Sequence, residues 1–200
     1  TNSGSGYLMT GNVNRDQFNA ATTFNNNGSY RIYVANNHPG QTTTFSSDLT
    51  LNSNKSGGAD VNSFYFAQTG TSALSVGGNL TINCAGTIRS DHYFLNGVGS
   101  SATYGGQVTI NVTNTSAATV IIMGENGTST YNGNISVANS GGASGITFNN
   151  QAISSSTLNG SISSGVFSSG SLNLYRFNQV GAFAQSLTLT NNGTILRVGP

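Results

Sequence analysis

A short phrase recurs through the middle of the chain: GGNLTIN, GGQVTIN, NGNISVA and then NGSISSG. The leading Gly-Gly or Asn-Gly pairs begin at Gly77, Gly105, Asn132 and Asn159, which are 28, 27 and 27 residues apart. Self-similarity at such a period marks a solenoid, propeller or array, because each unit is one supersecondary element that buries its apolar face only against its neighbours.

Each unit carries three strand signals. In Leu80-Thr81-Ile82, Val108-Thr109-Ile110 and Ile135-Ser136-Val137, apolar and hydroxyl residues alternate with the period of two that sends one set inward. A second apolar cluster follows at Tyr93-Phe94-Leu95, Val120 to Met123, and Ile146 with Phe148. A third position, Val76, Tyr104, Tyr131 and Leu158, closes each unit just before the next turn pair. Three short strands per unit, with Gly, Asn and Ser between them, predict a right-handed parallel β-helix, a three-sided solenoid of about seven coils.

Two core columns are predicted. The first runs through Leu49, Leu80, Val108, Ile135, Ile162 and Leu187; the second through Val76, Tyr104, Tyr131 and Leu158, and back to Phe45 and Phe24. At about 4.8 Å per coil such a rod is roughly 35 Å long. The alternative fold is an antiparallel β-sandwich of the pilin type, in which the phrases are hairpins and a strand from one subunit completes the next.

One domain over 1–200 is expected: irregular coils or a cap over 1–45, regular coils over 46–189, and an incomplete terminal coil over 190–200 whose edge is open to a neighbour. Charged residues make up 6% and hydrophobic residues 36%. The strand-like arrangement of that apolar fraction separates the chain from disordered polar sequences. A net charge of +1 from scattered Lys and Arg gives no footprint for nucleic acid. No run reaches the about 20 apolar residues of a membrane span, and TNSGSG has neither a basic nor an apolar leader region, as in a mature chain or a piece of a longer one.

Candidate chemistry is sparse. Asp60, Asp91 and Glu125 are spaced to fall near one corner on successive coils, as a glycan-cleaving site would need, although loop solvation explains them as well. Arg89, Asp91 and His92 form the densest ionisable group, and Asn54 to Asp60 form a loop projecting from one corner. Lys55, Asp60, Arg89, Asp91 and His92 are therefore the candidate interaction residues. His38 and His92 are too isolated for a metal site, and no cofactor motif is present. Cys84 stands where Val112 occurs one repeat later and reads as a small stacking residue. The Asn residues of the repeats read as ladders rather than glycosylation sites. Thr81, Thr109 and Thr188 alternate with Ser136 and Ser163, too irregular a file for ice binding. Tyr33, Tyr65 and Tyr175 are candidate sugar-stacking aromatics.

GGNLTINCAGTIRSD and NGNISVANSGGASGITF resemble the β-strand-repeat regions of large secreted bacterial surface proteins of the filamentous-haemagglutinin type. The resemblance covers about Asp48 to Leu189. It implies a parallel β-helix, export to the cell surface and a mechanical or adhesive role, with no catalytic residue to carry over. The expectation is a non-enzymatic extracellular fibre or adhesin subunit that partners copies of itself, and a glycan or cell-surface receptor. A polysaccharide-active β-helix enzyme and a carbohydrate-binding module are the alternatives.

Overall fold

The computed structural model describes residues 1–200 except 12–13, 37–38, 59, 116–118, 143, 168–169, 180–186, 189–194 and 200; at 166, 179, 187–188 and 195–199 it describes backbone only. His38, Thr194 and the Asn191-Asn192-Gly193 turn lie outside the described residues. The described residues contain no helix. Their strands form three sheets, and every strand pairing among them is parallel. The chain is a three-sided parallel β-helix, and the antiparallel sandwich is excluded.

Sheet A has seven strands: Thr22–Asn26, Leu49–Ser53, Leu80–Cys84, Val108–Val112, Ile135–Asn139, Ile162–Phe167 and Leu187–Thr188. Sheet B has eight: Leu8–Met9, Ile32–Val34, Asn62–Phe66, Asp91–Phe94, Val120–Met123, Gly145–Phe148, Ser171–Tyr175 and Ile195–Gly199. Sheet C has seven: Gln17–Phe18, Thr42–Phe45, Ala73–Val76, Ser101–Tyr104, Thr128–Tyr131, Ser155–Leu158 and Phe177–Gln179. The chain visits B, C and A in turn. Strands from the first 45 residues join the same sheets in register, so this region contributes coils of the rod.

The register follows the repeats. Leu49, Leu80, Val108, Ile135, Ile162 and Leu187 are successive Cα partners in sheet A. Phe45, Val76, Tyr104, Tyr131 and Leu158 are successive partners in sheet C. One expected member is misplaced: Phe24 pairs with Leu51 in sheet A, and Phe18 lies beneath Phe45. Spacing alone could not separate them, because both face the core at neighbouring corners, where their rings meet edge to face at 6.1 Å. Inside the rod, near-parallel rings stack at 4.6 Å in Phe18–Phe45 and Phe66–Phe94, and at 4.9 Å in Tyr104–Tyr131. These are single-coil steps at offset-stacking distance, so each coil fixes the next by packing as well as by backbone hydrogen bonds.

The glycines of the repeated phrase sit at the C-to-A corner for a steric reason. Gly78, Gly106, Gly133 and Gly160 do not adopt positive φ. Instead, a Cβ on Gly106 would stand 2.6 Å from Asn79 Oδ1 and 2.8 Å from the Gly78 carbonyl, and the other three meet the preceding coil in the same way. Corner backbones are in contact, and only hydrogen fits between them. Gly106→Ala is therefore expected to lower the unfolding free energy by about 1–3 kcal/mol. Gly57→Ala, where nothing lies within 4 Å, serves as the control. Urea titration of both variants checks this; equal midpoints would show that the corners have room.

Left-handed residues occur at another corner. Ala35, Ala67, Leu95 and Asn149, with φ of 49–58°, together with Gly124, follow the last paired residue of their sheet B strands. Ala35, Ala67 and Leu95 each carry roughly 1–2 kcal/mol of strain here, whereas Asn149 is of a type that tolerates the conformation. The amides of Ala67 and Leu95 hydrogen-bond to the preceding coil at 3.0 Å, and their side chains are fully buried.

Asparagines link the coils. Asn52 donates to Asn25, Asn83 to Asn52 and Asn111 to Asn83, at 2.8, 2.9 and 3.1 Å, until Ala138 ends the ladder. At the C-to-A corner, the Asp48, Asn79 and Asn134 side-chain oxygens accept backbone N–H groups one coil later. Several asparagines of Asn-x-Ser/Thr sequences are thus already engaged: Asn111 and Asn159 donate to other asparagines, and Asn126 donates to the Asn96 carbonyl. Outward on sheet C, hydroxyl pairs repeat at Thr42/Thr44, Ser101/Thr103, Thr128/Thr130 and Ser155/Thr157.

Candidate functional site

Five of the eleven charged residues, Arg31, Lys55, Asp60, Arg89 and Asp91, gather at the A-to-B corner on successive coils. Here the segments between Ser53 and Asn62 and between Cys84 and Asp91 leave the strands. The excursions fold onto the rod, so four of the five candidate residues are not solvent-facing loop residues. Lys55, Asp91 and His92 are buried, Asp60 is largely covered, and Asp91 and His92 belong to a sheet B strand. Arg89 alone is substantially exposed.

Lys55 is fully buried, and its ammonium donates to three backbone carbonyls: Asp60 at 2.6 Å, Asn62 at 2.8 Å and Ser29, one coil below, at 3.4 Å. Three donors meet three acceptors, as an ammonium requires. Burial holds its pKa below the usual lysine value, with the Asp60 charge opposing and Arg31 adding to the shift.

Both aspartates are held by arginines. Arg31 forks onto Asp60, Nε to Oδ2 at 2.6 Å and Nη2 to Oδ1 at 3.0 Å, while the Asn62 amide groups donate to Oδ1 at 2.8 and 3.0 Å. Burial works to raise the Asp60 pKa, but the Arg31 and Asn62 hydrogen bonds outweigh it and hold the carboxyl below its ordinary range. Asp91 accepts from Arg89 at 2.6–2.9 Å and from the Val120 amide at 2.9 Å, tying its coil to the next. Glu125 is elsewhere, at the B-to-C corner, bonded by Asn150 and Gln151. The predicted carboxylate alignment fails because His92 pairs with Ile121 and the Val120 amide bonds Asp91, which leaves Glu125 past the end of the neighbouring strand. Each aspartate is thus held at the corner by an arginine and by a backbone amide.

The inner side of the corner is a polar layer. Asn26, Ser53, Cys84 and Val112 are successive register partners, and Ser53 Oγ lies 2.7 Å from Ser63 Oγ. One coil on, Cys84 Sγ lies 3.0 Å from His92 Nε2, with both residues fully buried and His92 stacked on Phe64 at 5.3 Å. This is the spacing of a nucleophile and its base, with the opposite electrostatics. Burial, with Asp91 adding, raises the thiol pKa far above its ordinary value. Burial, with Lys55 adding, pushes His92 down to about 3. A reactive cysteine needs a stabilised thiolate; this pair is neutral and serves packing, as the equivalence of Cys84 to Val112 implies.

Beside the corner, Tyr33, Tyr65 and Tyr93 form an outward file on sheet B, with centroids 5.8 and 5.0 Å apart. Arg31 lies over Tyr33 and Tyr65, 5.7 and 5.1 Å from the ring centres, and Tyr7 meets Tyr33 edge-on. Neighbouring rings cover each other's faces, leaving rims to solvent, whereas sugar stacking needs an open face. Tyr175 lies under the Arg176 guanidinium, 5.9 Å away. Sequence reasoning placed Tyr33 and Tyr65 outward but missed Tyr93 as their continuation; the 28-residue step from Tyr65 to Tyr93, equal to that from Leu80 to Val108, was the available signal. The Arg31–Asp60 and Cys84–His92 pairings had no comparable signal, because they depend on how the excursion folds back. Among the described residues no group of three His, Cys, Asp or Glu is placed to hold a metal ion.

Fold and corner together define a parallel β-solenoid whose few charges are mostly used within the protein. No family model, curated protein or solved structure matches the chain.

Proposed function

We propose that this chain is a structural, non-enzymatic extracellular protein, a repeat unit or subunit of a bacterial surface fibre or adhesin that joins copies of itself through strand edges at the coil ends. The observation that carries this reading is the strand order of the three sheets. Among the described strands, Leu8–Met9, Gln17–Phe18 and Thr22–Asn26, the last bridged at Asn25 to Asn27 by Asn2, are outermost at one end, and Ile195–Gly199, Phe177–Gln179 and Leu187–Thr188 at the other. Terminal strands of parallel ladders present N–H and C=O groups that another coil can take up. The sides support the same reading, being neutral hydroxyl and amide files with few unpaired charges, so association should depend little on ionic strength.

Electron microscopy and light scattering of the purified chain at rising concentration test this. Rods of constant width that lengthen with concentration, at low and high salt alike, are the expected result. Single-domain particles that stay monodisperse at high concentration would sink it.

A further inference from the structure

Half of the chain's eight tyrosines, Tyr7, Tyr33, Tyr65 and Tyr93, lie along one edge of the rod. Within this group one pair differs in geometry. Tyr65 and Tyr93 are Cα partners on adjacent coils, and their rings are 5.0 Å apart and tilted by only 24°. Tyr33–Tyr65 is tilted by 42° and Tyr7–Tyr33 by 84°. Both rings project from the same face of in-register parallel strands, with their planes close to parallel. Both residues are half-buried, which leaves their rims accessible.

We propose that Tyr65 and Tyr93 are an oxidative cross-linking site that joins two successive coils through a dityrosine bond. The co-reactant is hydrogen peroxide, used by a one-electron oxidant of the haem-peroxidase class. Each phenol gives up one electron and its hydroxyl proton, and the two tyrosyl radicals couple through a carbon–carbon bond between ortho positions. The hydrogens on the joined carbons then move to the two oxygens, restoring both phenols. In balance, two hydrogen atoms leave the protein and one hydrogen peroxide becomes two waters. The Tyr65 hydroxyl donates a long hydrogen bond, 3.3 Å, to Asn62 Oδ1. The inner pair Tyr104–Tyr131, at 4.9 Å and 16°, has similar geometry but is enclosed in the core, out of reach of an oxidant and with no exit for the protons. The inference concerns one chain by itself and holds whether or not chains polymerise.

Treatment of the native chain with a haem peroxidase and hydrogen peroxide, followed by digestion and peptide mass spectrometry, tests it. The expected product is a single-chain species in which the Tyr65 and Tyr93 peptides are linked and two hydrogen atoms lighter than their sum. Tyr93→Phe, which keeps the ring, should abolish that linked peptide, and Tyr104→Phe should leave its yield unchanged. Dityrosine formed only between separate chains, formed mainly at Tyr104–Tyr131, retained in Tyr93→Phe, or absent altogether would overturn the proposal.

Discussion

Acidification from pH 6.5 toward 3 is expected to remove about 4–5 kcal/mol of stability through His92 alone, and His92→Leu to abolish that loss. In the folded chain this imidazole stays neutral down to about pH 3, because it is buried against Phe64 and Cys84 with Lys55 nearby. In the unfolded chain it takes up a proton near 6.5. Between those values the unfolded state binds more protons, so stability falls as pH falls. Asp60 adds to the loss only lower down: its folded pKa is depressed, so its contribution is present above the ordinary carboxylate value and disappears as pH drops through the folded one. Leu suits the position because the register neighbours of His92 are Phe64 and Ile121. Urea unfolding of wild type and His92→Leu at several pH values between 4 and 7 separates the two cases. Parallel stability curves would show that His92 is hydrated or charged in the folded state.

The same residue shows where the sequence was legible. The apolar columns could be read because their members recur once per coil, at steps of 25–31 residues, and alternation fixes which face of a strand is buried. Leu80, Val108 and Ile135 were therefore placed correctly without knowing how any corner folds. His92 was not, because its orientation depends on the conformation of residues 85–90, whose local sequence has no period. Read as part of a charged loop, it is instead in the core column between Phe64 and Ile121. The glycines show a related limit. Their positions marked the corner correctly, but their reason, contact with the neighbouring coil, is a tertiary fact that a turn signal does not contain. The left-handed Ala67 and Leu95 gave no signal, since neither residue type favours that conformation.

Lys55→Met should show how far the charged corner is structural. Methionine matches the length of the lysine stem but donates no hydrogen bond, so the carbonyls of Asp60 and Asn62 lose contacts of 2.6 and 2.8 Å inside a fully buried site. At about 1–3 kcal/mol for each of these two orphaned acceptors, a loss of about 2–6 kcal/mol is expected. Lys55→Arg should not restore it, because a planar guanidinium cannot direct donors at three carbonyls arranged for an ammonium. Arg89→Met in the same corner is the comparison, since the Arg89 side of its pair with the buried Asp91 is 42% exposed. The orphaned Asp91 carboxylate still accepts the Val120 amide, so a smaller loss is expected there. The predicted order in urea midpoint is wild type, then Arg89→Met, then Lys55→Met. Limited proteolysis should report the same change locally: Lys55 binds the start of its excursion to Asp60, Asn62 and Ser29, so cleavage at Ser56-Gly57-Gly58 should rise in Lys55→Met and not in Arg89→Met. If the two variants are equally stable and equally resistant, the ammonium is not what closes the corner. The charges gathered there would then be available to a ligand, contrary to the structural role proposed for this rod.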